Sequence, residues 1–205
     1  MIKMNLLENG TDSLKSAYDK MQKLNELEEG LDHYLKDIVF FLNHGIEILF
    51  KLILKNKGEE LIFSNIKKYN IAKEEQIRME KDNVFQVNPN LKTVSLMEAI
   101  EKCKKNEFEI SDEYENSLIY LNKMRNQFMH YEIEISDEEM LRLLIKLQLV
   151  YGLSLEFFSK YINNLNEHID NARFEVEIDD HGDILAELQK EADYERYLEE
   201  MMDLE

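Results

Sequence analysis

The sequence predicts an all-α protein: an up-and-down helical bundle followed by an acidic C-terminal extension. Apolar residues recur at spacings of three and four over most of its length, the pattern of one-sided helices. Only 6 glycines and 1 proline punctuate 205 residues, too few turn residues for a sandwich or barrel of short strands. Ser95 with Glu98 and Ser136 with Glu139 have the spacing of reciprocal capping boxes at helix starts.

Taken in order, residues 11 to 29 place Leu14, Tyr18, Met21, Leu24 and Leu27 on one helical face, and Gly30 marks a break or kink. A second helix is expected from about Leu31 to Asn56, where Lys55 and Lys57 complement the helix dipole and Gly58 supplies a cap. Residues 59 to 81 read as one or two shorter, polar helices. The stretch DNVFQVNPNLKTV, around Pro89, reads as a loop or strand-like excursion within one domain. Ser95 then opens a helix to about Lys105, and Ser111, followed by Asp112 and Glu113, opens another to about Tyr131.

The helix opened by Ser136 is expected to run to about His168. One apolar stripe passes through Leu141, Leu144, Tyr151 and Phe158, and a second through Leu143, Leu147, Val150 and Phe157. A helix apolar over more than half its circumference is expected to be buried on several sides, centrally, at a subunit interface, or both. The remaining residues hold a short β-like alternation and then an acidic amphipathic helix.

The formal charge of -18 is unevenly spread. Residues 167–205 hold 15 acidic and 3 basic side chains, leaving 28 acidic and 22 basic for residues 1–166. We therefore divide the chain into a helical domain, 1–166, and an acidic extension, 167–205. Such acidity argues against bulk coating of nucleic acid, which needs clustered Lys and Arg. The longest apolar stretch, Ile38 to Leu54, is interrupted by His44, Glu47 and Lys51, and reads as a core helix with no membrane role. The N-terminal residues lack a signal-peptide pattern, so a cytoplasmic protein is expected.

Several chemistries find no support. The six glycines never cluster as a Walker loop or Rossmann turn requires. No HExxH, CxxC or GxSxG occurs, and no His follows a Glu by three residues as in bundle di-iron sites. His44 with Glu47 and His33 with Asp37 share helical faces, yet each helix offers at most two ligands, so neither a metal nor another cofactor is expected. Cys103 is single. Among lysines its thiol pKa is expected to fall, unless the side chain is a small apolar filler or spectator.

The constellation that stands out lies in the helix beginning at Ser111. Its apolar stripe reads Tyr114, Leu118, Leu121, then Arg125, then Phe128. A guanidinium in an apolar seam is costly unless an acidic partner or an anionic ligand compensates it. Asn126 and His130 are about 40° apart on one face, whereas Arg125 and His130 diverge by about 140° on an ideal helix. A two-fold axis beside this helix would bring two Arg and two His into one cleft. The alternative is a structural cation, Arg125 paired with Glu47 across the bundle, in a domain that only binds a partner.

At these residues MRNQFMHY, Met124 to Tyr131, resembles the Arg-x4-His motif of HEPN domains (higher eukaryotes and prokaryotes nucleotide-binding) in its Arg-Asn-x-x-x-His form. FLNHGIEILFKLILK, Phe41 to Lys55, and KTVSLMEAIEK, Lys92 to Lys102, are similar to the family's early helix and to the helix preceding the motif, and the likeness covers about residues 31–165. The resemblance implies a bundle that homodimerises through the motif helices and, in many members, a metal-independent endoribonuclease in toxin, antiphage or RNA-processing settings, with a protein antitoxin or regulator as a further partner. By the same resemblance His130 would be the general base or acid on the RNA 2′-hydroxyl, Arg125 would stabilise charge on the phosphate, and Asn126 would orient either group. Tyr131 directly follows the His, and Glu132 stands where one toxin branch has a modifiable Tyr, so that regulation does not carry over.

Overall fold

The computed structural model describes residues 3–24, 26–27, 29–175 and 181–202. Among them the regular structure is helical: α1 (Leu6–Leu24), α2 (Leu31–Lys57), α3 (Ile66–Arg78), α4 (Leu96–Lys105), α5 (Asp112–His130), α6 (Asp137–Ser159), α7 (Leu165–Asp170) and α8 (His181–Met202). The described residues divide into two units, Met1–Arg173 and Phe174–Glu205. The first thus extends past the boundary expected at residue 166, because Leu165 and Ile169 of α7 are buried in its core. The second contains α8. No helix among the described residues is long and apolar enough to cross a membrane.

α1 begins five residues before the expected start. Asn5 and Glu8 cap it reciprocally, each backbone N–H donating to the other's side-chain oxygen at 2.9 Å. It ends at Leu24, and Gly30, at φ 77°, turns the chain into α2 in a conformation most side chains resist. α1 runs antiparallel along α2: Gly10 lies against Gly45 and Leu49, and Lys20 pairs with Asp37 at 2.8 Å. The expected capping boxes at Ser95 and Ser136 are both formed.

α2 is the centre of the first unit. Near its end Phe50, fully buried, packs on Tyr114 of α5 and on Phe157 and Phe158 of α6. At its start Leu31 and Leu35 share a groove with Phe128, at the end of α5, and Met140, at the start of α6. Hence α5 runs antiparallel and α6 parallel to α2. Burying a ring such as Phe50 stabilises the fold by about 2–3 kcal/mol. The Tyr114 hydroxyl in this aromatic cluster is satisfied, donating to Ser154 Oγ at 2.9 Å, and Ser154 donates to the Val150 carbonyl at 2.7 Å.

The segment between α2 and α4 contains a 3₁₀ turn at Glu59–Ile62, α3, and a second 3₁₀ turn at Val84–Gln86. The excursion around Pro89 is strand-like at one place, an isolated antiparallel bridge between Phe63 and Thr93. Lys102 of α4 holds the Phe63 side of this bridge, its Nζ donating to the carbonyls of Leu61 at 3.0 Å and Phe63 at 2.7 Å.

One expectation needs correction. The helix opened by Ser136 stops at Ser159, and Asn164, in the left-handed conformation at φ 54°, precedes a separate helix, α7. Ile162, Leu165 and Ile169 still reach the core, so the apolar spacing runs on across a real break. On α6, Leu143, Leu147, Val150 and Phe157 are interior, while Leu141, Ile145 and Leu149 are exposed in the single chain by 58%, 66% and 44%. The β-like alternation lies mostly at residues 176–180, outside the described residues.

Candidate functional site

Ser111 accepts a hydrogen bond from the Tyr114 N–H at 3.2 Å and so sets the start of α5. Tyr114, Leu118 and Leu121 then anchor the helix in the core. The next interior place is taken by Met124, 9% exposed, and the neighbouring Arg125 is half-buried at the edge of the seam. The expected guanidinium within an apolar seam is therefore corrected to one at its margin. The helix has reached the end of the core here, and a long Arg side chain can keep its stem on apolar surface while its head reaches water.

Arg125 and Asn126 are brought together: Arg125 Nη1 donates to Asn126 Oδ1 at 3.0 Å. A guanidinium only donates, so this contact fixes which end of the amide faces it and leaves the Asn126 NH₂ for another acceptor. No ion pair to Arg125 occurs among the described residues. In particular, Glu47 does not reach it. Glu47 instead pairs with Lys51 at 2.6 Å, and Lys51, 6% exposed, also donates to Thr93 Oγ1 at 3.1 Å. The i, i+4 spacing of Glu47 and Lys51 was the available signal for that pair.

His130, the last residue of α5, is exposed, as is Tyr131 after it. With Asn126, Lys123, Ile119 and Met97 of α4 these two line an open groove of about 460 Å³. Asn126 and His130 thus share a surface. Arg125 is not part of that lining, and connects to it only through Asn126. Lys123 and Ile119 continue the His130 face upstream at steps of three and four, so extending the motif backwards along the helix would have found them. On the other flank of α5, a second groove of about 350 Å³ includes Tyr120, Gln127, Arg142 and Lys146, with the Lys146 ammonium 4.0 Å from the centre of the Tyr120 ring.

Elsewhere the titratable groups have structural surroundings. Cys103 is fully buried, and burial pushes its thiol up to about 12, so the neighbouring lysines do not activate it. His44 lies 3.2 Å from Asn9 Oδ1; although the residue keeps solvent contact, partial burial of its ring lowers its pKa below 6.5. Among the described residues no three His, Cys, Asp or Glu side chains converge as a metal site would need. No family model, curated protein or solved structure matches the chain.

Proposed function

We propose that the chain is a HEPN-type bundle protein that acts, as a homodimer, as a metal-independent endoribonuclease in a toxin or antiphage setting within the cytoplasm. The observation that carries this reading is the end of α5: a guanidinium that no carboxylate among the described residues neutralises is held by Asn126, on a helix that ends in an exposed His130. A phosphodiester supplies the missing anion. In this reading His130 takes the proton from a 2′-hydroxyl, whose oxygen attacks phosphorus while the 5′-oxygen leaves and is protonated. The products are a 2′,3′-cyclic phosphate and a 5′-hydroxyl. Arg125 offsets the charge that develops on the nonbridging oxygens.

One chain presents Arg125 and His130 about 140° apart around the helix, so the composite site of this proposal draws on two copies. A second reading, a noncatalytic dimeric interaction module, is favoured by the exposed row Leu141, Ile145 and Leu149 on α6, apolar surface that RNA does not require. Incubating the purified protein with total RNA in EDTA separates the two. The enzyme reading expects products ending in cyclic phosphate from the parent and none from His130→Ala; a folded, dimeric parent that leaves RNA intact supports the module.

A further inference from the structure

The groove at the opposite end of α2 from Phe50 has no place in RNA cleavage. Its volume is about 470 Å³, and its floor includes Leu35, Phe128, Ile133 and Met140. Leu35 is buried and the other three are half-buried. The groove is thus apolar surface that the start of α2, the end of α5 with the loop after it, and the start of α6 converge to make.

The charged residues lining it are Glu29, Asp32 and Asp137, all carboxylates and all exposed. Asp32 has only the His33 imidazole, at 3.8 Å, as an ion-pair partner, and neither Glu29 nor Asp137 pairs with a cation among the described residues. Asp32 and Asp137 lie in the first turns of α2 and α6. Covering the apolar floor with a neutral or acidic partner would desolvate these carboxylates without compensation. RNA would be repelled, and so would a segment like α8, whose sequence holds 7 acidic and 2 basic residues.

We propose that this groove docks a basic amphipathic helix of another protein, its apolar face on Phe128, Ile133 and Met140 and its Lys or Arg residues on Glu29, Asp32 and Asp137. Helix-in-groove recognition needs an apolar trough and complementary rim charges, and both are present here. The inference does not depend on the ribonuclease reading, since it concerns binding alone.

The test uses the full-length protein and a fluorescent helical peptide of about sixteen residues, with Leu at i, i+3, i+4 and i+7 and Lys on the other face. An otherwise identical peptide with Glu in place of Lys is the comparison. The Lys peptide is expected to bind at least about tenfold more tightly than the Glu peptide. The triple change Glu29→Gln, Asp32→Asn, Asp137→Asn should weaken it by about tenfold, whereas Glu74→Gln, Glu101→Gln, Glu109→Gln, which removes the same charge elsewhere, should not. Equal losses in both triple variants would reveal nonspecific attraction to an acidic protein and overturn the proposal. No loss in either, or a groove variant that dissociates a dimer of this chain, would overturn it as well. The Met140 methyl resonance of the parent provides a readout independent of the variants: it should shift with the Lys peptide, and an unmoved signal at saturation excludes the groove.

Discussion

Arg125 Nη1 donates to Asn126 Oδ1 at 3.0 Å, although the two side chains leave α5 on different faces. The neutral amide holds the guanidinium without discharging it. Asn126→Asp keeps the shape and supplies a resident anion that competes with a phosphate. RNA cleavage should fall by more than tenfold, and by more than in Asn126→Ala, while the thermal midpoint stays level or rises. Equal activity in the Asp variant and the parent would mean that Arg125 does not meet the substrate.

Arg125→Ala distinguishes a site residue from a structural cation. No carboxylate is orphaned by its removal, since Glu47 is paired with Lys51. The expected stability change is within about 1 kcal/mol by urea unfolding, together with loss of cleavage. A loss of about 3–5 kcal/mol would instead indicate a buried pairing.

Two glycines should respond to alanine with opposite signs. A Cβ on Gly45 would stand 3.0 Å from the Gly10 carbonyl oxygen and 3.1 Å from Leu14, both on α1. Gly45→Ala should cost about 1–2 kcal/mol, because the crossing backbone cannot yield and the crowding exceeds the gain in helix propensity. At Gly152, on α6, a Cβ meets nothing within 4 Å. Gly152→Ala should therefore stabilise by up to about 1 kcal/mol, and chemical denaturation of both variants checks the contrast.

His44 sets an acid dependence. Burial holds its folded pKa below the ordinary 6.5, outweighing Glu47 and Asp12, which act to raise it, while Lys51 lowers it further. The unfolded chain therefore takes up the proton first. The contribution is complete above pH 6.5 and is lost as pH falls from there through the folded value. His44→Gln should flatten stability against pH in that window. The capping carboxylates Glu98 and Glu139, held low chiefly by hydrogen bonds from Ser95 and Ser136, act in a lower window, below 4.5.

Truncation after Arg173 should leave the first unit folded, because its hydrophobic core is made by residues up to Ile169. The shortened chain keeps 30 acidic and 23 basic residues. In the proposed function its RNA affinity should rise and fall more steeply with salt, as fluorescence anisotropy across an ionic-strength series would measure. Unchanged binding in a folded protein would leave the acidic extension a role in solubility alone.

What the sequence by itself determined is local. Apolar spacing and the serine caps defined the helical class and the starts of α4, α5 and α6, since capping and amphipathicity act within a few residues. The span of α2 and the Glu47–Lys51 spacing were equally legible. Tertiary structure decided which neighbour enters the core. Met124 and Arg125 are adjacent, and only the ending of the packed surface beside α5 puts the thioether inside and the guanidinium at the margin. It also decided that Asn164 turns left-handed, because bringing Leu165 and Ile169 back against the core requires a bend that helical periodicity cannot register. The same holds for the groove below Phe128: its floor and its acidic rim come from segments about a hundred residues apart, and such surfaces exist only once those segments pack.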